Sequence, residues 1–125
     1  MLSFQSLPKF LIMFIVVCIT HFAFTKAIKV ICAVGFTNTG WDSVCWEKGG
    51  KFYSCPTKQC SYNNRQYAPM QGCTLDKTPG ASNQQCTAYQ LQGARYQCWN
   101  SGNVRYMCPK DTNTDFITCS DCKLL

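Results

Sequence analysis

Histidine is all but absent from this chain: the one copy, His21, lies in an N-terminal stretch that reads as a removable leader. The remainder has no imidazole, which excludes a Ser-His-Asp triad, a Cys-His nucleophile pair and a histidine-based ribonuclease. Charge is sparse as well, at 14% of residues, and no two Lys or Arg are adjacent. A contiguous basic patch for nucleic acid or anionic lipid is therefore not indicated. Nowhere do apolar residues hold a helical period over three turns. Gly-rich phosphate loops and Asn-x-Ser/Thr glycosylation sites are missing too. The one long apolar run, Phe10 to Ile19, is half of the roughly 20 residues that a membrane span needs.

That run fits the h-region of a signal peptide. Lys9 supplies a positive charge before it, and Thr25-Lys26-Ala27 offers small residues at the −3 and −1 positions of a cleavage site. Cleavage is expected after Ala27, with Thr25 as the second choice, so residues 1–27 are assigned as signal peptide. A signal anchor is the weaker alternative. Residues 28–125 then amount to one domain's worth of chain. Lys9 and Lys26 leave with the leader, which lowers the formal net charge from +6 to +4.

Cysteine is abundant where charge is not. Of eleven cysteines, only Cys18 leaves with the leader. Cys32, Cys45, Cys55, Cys60, Cys73, Cys86, Cys98, Cys108, Cys119 and Cys122 remain. An even set of this density in a short exported chain implies a disulfide framework, because so small a core leaves little stability in hand. Zinc is the rival reading, since Cys119-Ser-Asp-Cys122 has knuckle spacing and Cys55 with Cys60 is a looser version. Without histidine, a site built from nitrogen and sulfur ligands would be all-cysteine, and Cys55, Cys60, Cys119 and Cys122 are the set this spacing suggests. No cofactor is expected on the disulfide reading.

An internal repeat organises the cysteines. Gly40-Trp-Asp-Ser-Val-Cys45-Trp46-Glu-Lys-Gly49-Gly-Lys-Phe-Tyr53-Ser-Cys55-Pro56 aligns without a gap on Gly93-Ala-Arg-Tyr-Gln-Cys98-Trp99-Asn-Ser-Gly102-Asn-Val-Arg-Tyr106-Met-Cys108-Pro109. Cys32 matches Cys86 with a one-residue shift, and Cys60-Ser61 matches Cys119-Ser120 after an insertion. Two units are predicted, residues 28–72 and 82–125, joined by a turn-rich linker over 73–81. The expected fold is small, disulfide-rich and mostly β, with two tandem hairpin-containing repeats and little helix beyond a short stretch at Gln84–Gln92.

Gly49-Gly50 and Gly102-Asn103 read as two-residue hairpin turns, whose central residues both need φ > 0. Centring the turns there sets Trp46 opposite Tyr53 and Trp99 opposite Tyr106, one cross-strand aromatic pair in each unit. Cys45 and Cys55 then point to opposite faces and cannot bond, and the same holds for Cys98 and Cys108. The expected bridges are Cys32–Cys45, Cys55–Cys60, Cys86–Cys98 and Cys108–Cys119. Cys73 and Cys122, without counterparts, would tie the two halves together. Trp46 and Trp99 read as core residues packing on bridges. Trp41 is the better surface-binding candidate, because Ala94 holds its place in the other unit. Asp42 and Glu47 flank the first hairpin strand but read as solvated acids, and no catalytic residue is assigned.

The triplets Tyr53-Ser-Cys55, Tyr96-Gln-Cys98 and Tyr106-Met-Cys108, set in a short exported cysteine-rich chain, resemble the candidate secreted effectors of plant-pathogenic fungi, rusts and mildews especially. The resemblance implies a non-enzymatic virulence protein that binds a host component, a host protein first of all, and suppresses or triggers plant immunity. It implies an apoplastic location, with entry into host cells as a further option. It also keeps zinc in view, since some rust avirulence effectors are duplicated cysteine-rich units that bind it. The alternative is an extracellular module that binds chitin or glucan through its aromatic residues, or an antimicrobial one. Neither nucleic acid nor, after cleavage of the leader, membrane is an expected partner.

Overall fold

The computed structural model describes residues 28–125; the expected signal peptide, with Cys18, lies outside them. The strands are β1 Ile28–Ile31, β2 Gly35–Asn38, β3 Asp42–Trp46, β4 Phe52–Pro56, β5 Cys60–Ser61 and β6 Ala68–Leu75. They continue with β7 Ala81–Cys86, β8 Ala88–Gln92, β9 Arg95–Trp99, β10 Arg105–Pro109 and β11 Thr118–Leu124. A single 3-10 turn, Thr57–Gln59, is the only helical element among the described residues. The chain is a small, mostly β, disulfide-rich protein. The stretch expected as a short helix, Gln84–Gln92, instead closes β7 and forms β8, where Tyr89 and Leu91 alternate with exposed glutamines.

Hydrogen-bonded neighbours run in the order β1-β11-β4-β3-β2-β8-β9-β10-β6-β7, with β5 beside β11. From the central β2–β8 pair, the order outward is β3, β4, β11, β1 on one side and β9, β10, β6, β7 on the other. Residues 73–75, expected in a linker, belong to β6, which pairs with both β7 and β10. Chain-terminal β11 pairs with β1 and β4. Each of these two strands thus completes the sheet around the hairpin of the opposite half.

Both hairpins sit one residue out of the expected register. Trp46 opposes Phe52 and Cys45 opposes Tyr53; Trp99 opposes Arg105 and Cys98 opposes Tyr106. The cause is loop length. The Glu47 N–H donates to the Lys51 carbonyl and the Gly50 N–H to the Glu47 carbonyl. Only Gly50 of its pair has a left-handed φ, +84°. The second loop repeats this, with Asn100 bonded to Val104 and Asn103 at φ +59°. These are three-residue loops ending in a left-handed residue, not two-residue turns. A one-residue slip moves every facing side chain. The aromatic pairs expected as Trp46–Tyr53 and Trp99–Tyr106 therefore do not form. Trp46 stacks on Phe52 instead, with ring centroids 4.3 Å apart.

Five disulfides close the fold: Cys32–Cys45, Cys55–Cys122, Cys60–Cys119, Cys73–Cys108 and Cys86–Cys98. The expected Cys32–Cys45 and Cys86–Cys98 are present; Cys55–Cys60 and Cys108–Cys119 are not. Cys45 and Cys55 share the buried face but lie diagonally, opposite Tyr53 and Ser43. Cys55 therefore turns to β11, on the other side of β4. Cys73 and Cys122 occupy matching places on the two sides of the sheet. Each ties β6 or β11 to the hairpin of the other half, rather than bonding its counterpart.

All ten cysteines are buried and form the core with Val30, Phe36, Met70, Tyr89, Tyr96 and Ile117. Asn113 is a buried polar residue pinning the β10–β11 connection. Its Oδ1 accepts from the Gln71 N–H at 2.6 Å, and its Nδ2 donates to the Gln71 and Pro109 carbonyls at 3.0 and 2.7 Å. These bonds hold the bulge of β6 against β10. Replacing Asn113 with alanine removes three hydrogen bonds made by a buried side chain, so a loss of about 2 kcal/mol is expected in chemical unfolding.

Candidate functional site: the outward face of the sheet

Strand alternation presents one face of this sheet to the core and the other to water. In β3, β4 and β9 the buried residues alternate with half-buried or exposed ones. The pairings connect one outward row across seven strands, with Leu125, just past β11, at its edge. Leu125 bonds to Phe52, Phe52 opposes Trp46, Trp46 opposes Gly35, and Gly35 opposes Gln90. Gln90 then opposes Gln97, Gln97 opposes Met107, and Met107 opposes Thr74. The row carries no charge. Apolar and aromatic side chains occupy one end, and amides continue it across the middle.

Several of these side chains remain accessible, with Leu125 72% and Phe52 40% exposed. Gly35, lacking a side chain, leaves a recess of about 250 Å³ beside Trp46, walled also by Phe52, Val44, Thr37 and Gln90. A Cβ at Gly35 would stand 3.3 Å from both Trp46 Cε3 and the Tyr89 carbonyl. The Trp46 indole N–H is buried with no acceptor among the described residues. Beyond the recess, the Gln97 amide donates to Gln92, an amide pair next along the sheet.

No family model, curated protein or solved structure matches this chain. Its chemistry therefore has to be read from its own residues. Trp41 stands 93% exposed at the tip of the β2–β3 turn, beside a shallow hollow that includes Pro56, Lys58 and Gln66. Gly40, at φ +109°, makes that tip possible, and the Trp41 carbonyl accepts from the Thr57 N–H. Asp42 and Glu47 lie at opposite ends of β3. The rise of a strand puts them roughly 15 Å apart, beyond the reach of two cooperating glycosidase carboxylates.

The four cysteines of the alternative zinc set do come together, as the bridges Cys55–Cys122 and Cys60–Cys119. The sulfurs of Cys55, Cys60 and Cys119 lie within 4.8 Å of one another. Bonded as disulfides, they are not thiolates and do not fit the donor set of a zinc ion. Lys29, Lys58, Tyr62 and Asp115 line a separate polar hollow against β11. The recess at Gly35 escaped the sequence reading because the hairpin register buried it. In the expected register Phe52 does not oppose Trp46, and a lone glycine in a strand carries no signal for a depression on the face.

Proposed function

We propose that this chain is an exported effector that acts by binding a host component rather than by catalysis. The uncharged side chains of the outward row, with Trp46 and Phe52 towards one end, are the observation that carries this reading. Exposed aromatic and apolar side chains flanked by polar ones are what recognition surfaces use, since they gain most from leaving water. Five bridges support an oxidising destination, and no helix among the described residues is long and apolar enough to cross a membrane. The aromatic-x-Cys triplets support a fungal origin and plant immunity as the process affected. The matching strand order on the two sides of the sheet supports two copies of one unit.

Expression in leaf tissue tests the reading. The secreted protein is expected to suppress or trigger defence, and Phe52→Ala to lose most of that response at equal protein level. A leaf indifferent to the wild-type protein would refute the effector role, and an undiminished response to Phe52→Ala would refute docking through this row. Trp41 favours a second reading, a polysaccharide-binding module, because so exposed an indole offers a flat stacking surface. Retention on insoluble chitin or glucan, lost in Trp41→Ala, is the result that reading requires.

A further inference from the structure

We propose that the recess over Gly35 is a subsite for a neutral pyranose sugar, one unit of an oligosaccharide lying along the outward row. The inference rests on the row being the binding surface and assigns the class of ligand it takes. Three observations carry it. The first is charge: the side chains lining the recess, and those of the whole row from Leu125 to Thr74, are uncharged. An anionic or cationic ligand would find no counter-charge among the side chains lining the recess; charged side chains, Arg95 and Arg105, join Gln97 and Met107 in a hollow at the far end of the row.

The second is shape. The recess, about 250 Å³ and open to solvent, has room for a sugar ring. The stacked Trp46 and Phe52 rings form one wall, and Phe52 is accessible enough for a ligand to reach it. A pyranose has a face of C–H groups that packs on such an aromatic wall. Its hydroxyls point outward around the ring edge and need donors and acceptors there.

The third is what surrounds the recess. The Thr37 hydroxyl and the Gln90 amide stand at its rim, and Gln97 continues the row one strand further on. An amide offers a donor and an acceptor at once, which matches a hydroxyl that is both. From Trp46 on β3 to Gln97 on β9 is three strand spacings, about 14 Å. That length accommodates more than one sugar unit, so an oligomer is expected to bind better than a monosaccharide.

The test titrates the purified, five-bridge protein with chitohexaose, cellohexaose and laminarihexaose, following tryptophan fluorescence and binding heat. At least one hexaose is expected to saturate, with its monosaccharide weaker by ten-fold or more. Phe52→Ala, which removes one ring of the aromatic wall, should weaken that hexaose roughly ten-fold. Gly35→Ala, whose Cβ would press on Trp46 Cε3 at 3.3 Å and displace the wall of the recess, should weaken it at least as much. Lys110→Ala, away from the row, should leave it unchanged. Saturation by none of the three sugars, or affinity unchanged in folded Phe52→Ala, overturns the assignment. Leaf activity measured on the same preparations separates the two readings: an active protein that binds no sugar loses only this inference, and the effector role stands.

Discussion

Removing Cys55–Cys122 and Cys60–Cys119 together, as serines, is expected to cost about 6 kcal/mol, while removing either alone costs only about 2–3. The asymmetry comes from nested loops. The two bridges span 67 and 59 residues, so with one in place the second closes only the eight residues by which the spans differ. Loop closure varies with the logarithm of length, so that short loop contributes about 2.5 kcal/mol and the long one, shortened by the Cys73–Cys108 bridge inside it, a further 3.5 or so. Losing both bridges forfeits the two terms together, which is more than twice either single loss. Against a typical margin of about 5–15 kcal/mol, the double removal leaves little folded protein. It would also release β11 from β4 and β5, exposing edge backbone on both. Guanidinium unfolding of the two serine pairs and of the quadruple variant measures this. Strictly additive losses would show that the bridges do not share one loop.

How much of this the sequence made legible depends on the range of the interaction. The β class, the hairpins and the short-range bridges Cys32–Cys45 and Cys86–Cys98 follow from local signals: turn glycines, alternating aromatics and cysteines about a dozen residues apart. The bridges missed are those whose partners lie 35 to 67 residues away, on β6 and β11. Nothing local says that each of these strands crosses to complete the sheet around the other half's hairpin. The register was missed for a subtler reason. Gly49-Gly50 and Gly102-Asn103 suit a two-residue turn, but they equally suit the end of a three-residue loop, where only Gly50 and Asn103 need a positive φ. That single slip hid the site as well, because it exchanged Tyr53 for Phe52 as the ring facing Trp46. The exposure of Trp41 was legible from the repeat, because Ala94 holds its place in the other unit.

Tyr89→Phe is expected to cost about 3 kcal/mol, a large effect for the loss of one oxygen atom. Tyr89 is fully buried on β8, at the centre of the sheet. Its ring meets Tyr96 edge-on and Phe116 at a tilt, each about 6 Å away. The hydroxyl donates to the Cys32 carbonyl at 2.7 Å and accepts from the Ile117 N–H at 3.0 Å. It thereby pins the residue after β1 and the residue before β11, which are also joined by the Cys32 N–H donating to the Ile117 carbonyl at 2.9 Å. Phenylalanine keeps the packing but leaves a buried donor and a buried acceptor unpaired, each costing about 1–3 kcal/mol. The same burial gives the position a signature in pH. Burial pushes the Tyr89 phenol well above its ordinary value near 10, with the neighbouring Tyr96 adding to the shift and the Ile117 hydrogen bond opposing it. The unfolded phenol ionises above about pH 10 while the folded one stays neutral. This contribution to stability is therefore complete below pH 10 and is lost as pH rises beyond it. Unfolding midpoints measured from about pH 8 to 11 should fall more shallowly for Tyr89→Phe than for the wild type at the alkaline end. Tyr96, also raised by burial, keeps that slope above zero. Parallel curves for the two proteins would show that the Tyr89 hydroxyl does not stay neutral in the fold.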